Sequence, residues 1–393
     1  MATTSASDLS RFTIISSLYF GCGSVALFMC TPAFVVLMSR DWHFTDAQAG
    51  AIVGAAVIWN TIGSLLAGIP SRHVGTRTKL ITASVLTVVG YSLAAGGGPP
   101  LQIGAFLSIA ALGGGVLNGQ AIRTLTYSSH PHRYMAFNTA AQNLTAALLM
   151  GIVLPPVGER WGVHGAYFLM TLLAIPGVFM ACAVSVKDHV EEQSSPANGS
   201  TVGIFGILMS TLAFYIFMGV VWTFVGSLGT ENGLIADDVD RAVGASNLLT
   251  LAVCAFAARL ERSHRTQAWS ILSVFITLIG VVGLVLEHRM LPFAFFFLVV
   301  NSGWTLYSVV VQCLFPRVDP AGRFASLTVG LIGLGYSIGS YMGGEYLTQH
   351  SASACFVASL ALGGIAGLSL MLVRQNGSRG PETTSANPSF RVE

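Results

Sequence analysis

The sequence predicts an all-α polytopic membrane protein of about twelve transmembrane helices arranged as two six-helix bundles. Three observations predict it. First, only 9% of the 393 residues are charged and 53% are hydrophobic, and mean hydropathy is +0.69. A soluble domain carries roughly 25% charged residues as its skin, so the solvent of this chain is lipid. Second, the apolar residues fall in long uncharged runs such as 47–70 and 291–316. A helix rises about 1.5 Å per residue, so roughly 20 residues cross a ~30 Å hydrocarbon core. Third, one polar stretch divides these runs into two sets of six.

Taken in order, the runs place spans at 13–38, 47–70, 79–97, 101–123, 135–157 and 166–186. The segment KDHVEEQSSPANGST follows, with the Ser, Pro, Gly and charge content of a solvated linker. Six more runs then occupy 203–227, 241–258, 268–286, 291–314, 324–347 and 352–373. The expected organisation is a first bundle at 1–186, a linker at 187–202, a second bundle at 203–374 and a tail at 375–393. Other connections are short, as antiparallel neighbours require. The start of the chain is polar and short, and no cleavable leader is expected.

Basic residues orient the spans. With the N-terminus inside, fifteen of the nineteen Lys and Arg residues fall in inner loops and tails. Only Arg40, Arg160, Arg241 and Arg289 lie outside. The positive-inside rule then puts both termini in the cytoplasm of a cell with this protein in its inner membrane. The halves also rhyme weakly: a shift of about 188 residues lays SRHVGTRTK over RLERSHRTQ, both basic and both joining the second and third helices of their half. Parallel repeats of this kind place a substrate site between them near the midplane.

The segment GIPSRHVGTR, 68–77, resembles the loop signature of the major facilitator superfamily: glycine, three residues, Asp-Arg, one residue, Gly-Arg-Arg or Lys. Gly68, Gly75 and Arg77 match, whereas Arg72, His73 and Thr76 depart from it. WGVHGAYFLM, 161–170, resembles the lead into the sixth helix of that family, and DPAGR, 319–323, a loop before its eleventh. The resemblance implies a secondary transporter working by alternating access, with proton coupling expected and helices ten and eleven near the centre and a gate.

Candidate binding groups are the polar and aromatic residues inside spans, because an amide without a partner in lipid costs several kcal/mol. Asn301, Trp304 and Tyr307 recur every third residue on helix ten. Tyr215, Tyr336, Asn60, Gln142, Asn143 and Asn247 complete the set. Trp222, near an outer helix end, reads either as an interfacial anchor or as a buried ring. Gly335, Gly339 and Gly343, spaced four apart, form a surface for packing or sliding, as do Gly50 with Gly54 and Gly115 with Gly119. Glu345 is the acid placed well inside an apolar run, and so the candidate for proton coupling; snorkelling is its alternative reading. Asp41, Asp46, Asp237, Asp238 and Asp240 read as solvated charges at helix starts.

The remaining features exclude other classes. No Walker loop, HExxH, GxSxG or dinucleotide fingerprint occurs, so no enzyme is predicted. Cys22, Cys30, Cys182, Cys254, Cys313 and Cys355 form no CxxC pair and read as small membrane-buried hydrophobes, leaving no metal site and no cofactor. A net charge of +2 with no basic stripe argues against nucleic acid. The expected partners are a small-molecule substrate, the lipid bilayer and coupling protons, with the chain a monomer. An interior without a buried cation favours efflux of a neutral, aromatic or lipophilic compound. Uptake of a small organic substrate is the alternative, and a non-transporting sensor a distant third.

Overall fold

The computed structural model describes residues 10–68, 75–126, 131–184, 201–260, 265–312, 314 and 325–373. The loop at 69–74, with Arg72 and His73, lies outside the described residues, as do 185–200, DPAGR, Cys313 and the tail from 374.

Span one is two helices, α1 (Arg11–Met29) and α2 (Thr31–Trp42), broken at Cys30. Ser10 caps α1 by accepting the Thr13 N–H at 3.1 Å. The break follows from Pro32, which has no N–H to continue the ladder. A reciprocal capping box starts α3 (Asp46–Gly68): Thr45 N–H donates to Gln48 Oε1 at 3.0 Å, and Gln48 N–H to Thr45 Oγ1 at 3.2 Å. Spans three and four are α4 (Thr76–Ala95) and α5 (Pro100–Thr126).

Spans five and six come from one apolar stretch. It comprises α6 (Pro131–Leu148), a π turn at Leu149–Val153 and α7 (Leu154–Ala183). Pro155 and Pro156 cannot donate to the carbonyls four residues back, and the ladder loosens into the π turn just before them. The stretch reverses at Gly162, where φ is 61° and ψ −156°. Before the turn, Gln142 and Gly158 meet Gly21 and Leu37 in ascending order. After it, Tyr167 and Leu173 meet Met38 and Tyr19 in descending order.

The second half runs α8 (Thr201–Glu231), α9 (Ala236–Leu260), α10 (Thr266–Leu286), α11 (Met290–Gln312), α12 (Ala325–Leu347) and α13 (Ala352–Met371). Among the described residues, ten helical stretches are long and apolar enough to cross a membrane. One of them, Phe137–Ala183, holds both spans five and six.

The halves repeat each other at close range. On α5, Gly113 lies against Ala83 O and Thr87 Oγ1 of α4. On α11, Gly303 lies against Ser273 O and Thr277 Oγ1 of α10. Each residue of the second set stands 190 positions after its counterpart, and each threonine bonds the carbonyl four residues back at 2.9 Å. Glycine at both places lets two backbones touch.

Among the described residues the charges distribute unevenly between the two ends of the molecule, with Arg40, Arg160, Arg241 and Arg289 sharing one end with the carboxylates. The described carboxylates, Asp41, Asp46, Glu159, Glu231, Asp237, Asp238, Asp240, Glu287 and Glu345, all lie at the end where α1–α2 finishes. Arg11, Arg77, Lys79, Arg123, Arg259 and Arg265 lie at the other. These are called here the acidic and basic ends.

Candidate transport site

The site is built where α1, α2, α3 and α6 of the first half meet α8, α9 and α12 of the second. Among the described residues four hydrogen bonds cross between the halves, one of them from Asn143 Nδ2 to Cys254 Sγ at 3.7 Å. Trp222 Nε1 donates to Phe28 O at 2.9 Å, Ser337 Oγ to Gly54 O at 2.6 Å, and Asn143 Nδ2 to Thr250 Oγ1 at 3.2 Å. Backbones also meet directly: a Cβ on Gly50 would lie 3.2 Å from Gly344 Cα, and one on Gly226 3.3 Å from Pro32 O. At the acidic end, above these contacts, a cleft of about 950 Å³ opens between the halves, lined among others by Val36, Asp46, Ser227 and His350.

Helix α11 distributes its three candidates over different neighbours. Asn301 is buried, donating to Ser246 Oγ and Asn247 Oδ1 of α9, each at 3.0 Å. Asn247 in turn donates to Val243 O at 3.1 Å. Tyr307 is buried against α8, its ring stacked on Phe214 at 3.8 Å and its hydroxyl 2.9 Å from Ser210 Oγ. Trp304 stays half-buried, edge-on to Trp222 at 4.8 Å. The reason is geometric. Three residues turn a helix about 300°, so each step falls about 60° behind and the trio covers an arc of about 120°. Trp222 touches both Trp304 and Phe28 O, so Trp304 lies on the side of α11 toward α8, one ring removed from the first half. It sits about 21 Å below the start of α11, near the middle of a bilayer.

The other candidates are tied down. Tyr215 donates its hydroxyl to Ser308 Oγ at 3.0 Å, because Ser308 already donates to Trp304 O at 2.9 Å. Asn60 donates to Ala111 O and Gln142 to Gly21 O, both at 3.3 Å. Tyr336 is buried with its hydroxyl unpartnered. Asn118 on α5 and Asn138 on α6 were not singled out from the sequence, yet both hold buried amide oxygens without a partner. Their signal was an amide inside an apolar run, the same one that marked Asn143.

Two expectations change. Trp222 is fully buried inside the protein rather than anchored at a lipid interface. Asp240 is buried, 9% exposed, beside the break at Cys30 rather than solvated like its neighbours. Cys182 is exposed on α7. Glu345 is exposed at the acidic end.

The glycine set Gly335, Gly339 and Gly343 faces α8 within the same half, meeting Leu212 O, Ile216 O and Phe224. Gly50 and Gly54 are the glycines that meet the opposite half. Gly68 ends α3 and Gly75 caps α4, while Arg77 donates to Cys182 O on α7. The Gly162 turn is clamped by span one: Asp41 accepts Val163 N–H at 2.7 Å and Arg40 donates to Gly158 O at 2.7 Å. His164 Nε2 accepts from Trp42 Nε1 at 3.1 Å, so its Nδ1 carries the proton and donates to Ala95 O at 2.8 Å. Among the described residues no group of three or more His, Cys, Asp and Glu gathers to hold a metal.

Comparison with known families decides the assignment. The model described as Major Facilitator Superfamily matches residues 17–327. The chain belongs to the major facilitator superfamily. Its fold is similar to a crystallised D-xylose–proton symporter, with a TM-score of 0.71 and 14% identity over 92% of this chain and 95% of that one. The partially occluded inward-open E. coli xylose transporter XylE scores 0.70 at 13% identity, covering 92% and 97%. A bacterial homologue of the human drug peptide transporters PepT1 and PepT2 scores 0.69 at 14% identity, covering 92% and 98%. No curated protein matches the sequence. This superfamily member is therefore a transporter by family, and not an enzyme, with a fold similar to those solved structures.

Proposed function

We propose that the chain exports a small neutral, aromatic or lipophilic compound across a bacterial-type inner membrane, driven by proton entry. The observation that carries this reading is Trp304, a half-buried ring at mid-membrane depth packed edge-on to Trp222, the residue that bridges to the first half. Among the described residues no Lys or Arg lies near the middle of a span, so nothing in the interior favours an anion. Uptake is the second reading, favoured by the similarity in fold to a protein named a D-xylose–proton symporter. The chain acts as a monomer with both termini cytoplasmic and needs no cofactor.

For coupling, Glu345 and Asp240 are the two candidates, and burial favours Asp240. A carboxylate at an interface between moving halves is desolvated when they close, so closure and proton binding assist each other. The deciding experiment is accumulation and toxicity of a compound panel in cells with and without the protein, with a pH gradient imposed and collapsed. Lower accumulation of aromatic neutral compounds supports export, higher accumulation supports uptake, and no difference across the panel overturns the cargo class.

A further inference from the structure

The break in span one leaves one backbone carbonyl without its helical donor, and a side chain from the other half fills it. Residue 32 would supply the N–H for Phe28 O in an unbroken helix, but Pro32 has none. Around the break the neighbouring acceptors are served locally: Cys30 N–H donates to Ala26 O at 3.0 Å, Thr31 Oγ1 to Leu27 O at 3.3 Å, and Phe34 N–H to Cys30 O at 3.2 Å. Phe28 O is approached locally only by the Cys30 N–H, which it shares with Ala26 O, and it receives the indole N–H of Trp222 at 2.9 Å. An indole has a single donor and no acceptor, and Trp222 is fully buried. The indole therefore needs this carbonyl while the halves are together, and the carbonyl gains from it a full donor in place of the missing one of Pro32. Gly226, one turn above Trp222, lets α8 approach closely enough, since a Cβ there would meet Val36 and Pro32 O.

We propose that the Trp222 indole and the Phe28 carbonyl form a latch that holds the acidic end closed, with Pro32 keeping the carbonyl free for it. It rests on the alternating-access reading above. Trp222 is a positioning residue: it acts on access rather than on cargo. Opening the acidic end separates α2 from α8, breaks this bond and exposes both groups to the water of the cleft. The other face of Trp222 abuts Trp304, so the latch stands directly behind the candidate binding ring.

The test uses the full chain in membranes with a Val36→Cys reporter. Val36 lines the cleft and packs on Gly226 across the interface. A charged, membrane-impermeant maleimide is added from the acidic side, and labelling is read peptide by peptide so that native cysteines do not interfere. Trp222→Phe keeps a ring but loses the donor. It should speed labelling about two- to tenfold, as expected for loss of one hydrogen bond. Pro32→Ala alone should speed labelling by a similar factor, because its new N–H competes for Phe28 O. Adding it to Trp222→Phe should change the rate no further. Labelling of Trp222→Phe at the reference rate overturns the latch, and so does an additive double variant. Should Trp222→Phe fail to fold, Pro32→Ala decides the matter alone by the same criterion. The measurement uses no cargo, so a wrong cargo class leaves it standing.

Discussion

At the scale of single residues, the polar groups of the interior divide into those consumed by packing and those left open. Asn301 spends its hydrogen-bonding capacity on α9, Asn247 on Asn301 and on its own helix, and Tyr307 on Ser210 of α8. Trp304 keeps a free face. Trp304→Ala should therefore weaken cargo binding by ~1 kcal/mol or more, about fivefold in half-saturating concentration, with the folded yield near wild type. Unchanged transport across a full concentration series removes this ring from the site. Asp240→Asn should abolish accumulation driven by a pH gradient while sparing cargo exchange, and Glu345→Gln should leave both intact because that side chain is exposed. The reverse pattern returns coupling to Glu345.

At the scale of elements, breaks and close approaches determine how the helices can move. Gly162 must be glycine on two counts. Its φ of 61° costs an ordinary residue ~1–2 kcal/mol, and a Cβ would meet the Asp41 carboxylate at 2.5 Å. Gly162→Ala should lower the unfolding temperature in detergent, and an unchanged melting curve would mean the turn can relax. The glycines of α12 and α3 should differ in effect. Gly339→Leu intrudes on Ile216 O and Gly219 of α8 inside one half, so it should destabilise that half by about 1–3 kcal/mol. Gly54→Leu intrudes on Ser337 across the halves, so it should leave folding near normal and shift the protein toward a state open at the acidic end. Thermal stability and accessibility from each side of the membrane separate the two cases.

At the scale of the whole molecule, the hydrogen bonds between the halves run from the acidic end toward the middle, and a cleft opens above them. Among the described residues the carboxylates lie at one end, and the sequence places fifteen of the nineteen basic residues in the opposite loops and tails. Reporter fusions at Asn198 and after Glu393 should therefore report the same side of the membrane, the cytoplasm. A signal from opposite sides would require an odd number of spans between them.

The sequence by itself determined the class of the molecule, the twelve runs, their order and the turn at WGVHG, because the hydrocarbon thickness imposes a length and excludes charge from each span. Those are local properties, readable along the chain. Only the tertiary structure decided which face of a span meets protein. Asn301, Trp304 and Tyr307 look alike in spacing, and the helical drift sends them to three different surroundings. Asp240 looks like Asp237 and Asp238, and only its packing beside Cys30 buries it. Trp222 and Phe28 stand 194 residues apart, and no local pattern foretells that one would fill the carbonyl freed by Pro32. Inside a bilayer all spans are apolar on every side, so hydropathy cannot separate a lipid face from a protein face; that distinction exists only once the helices are packed.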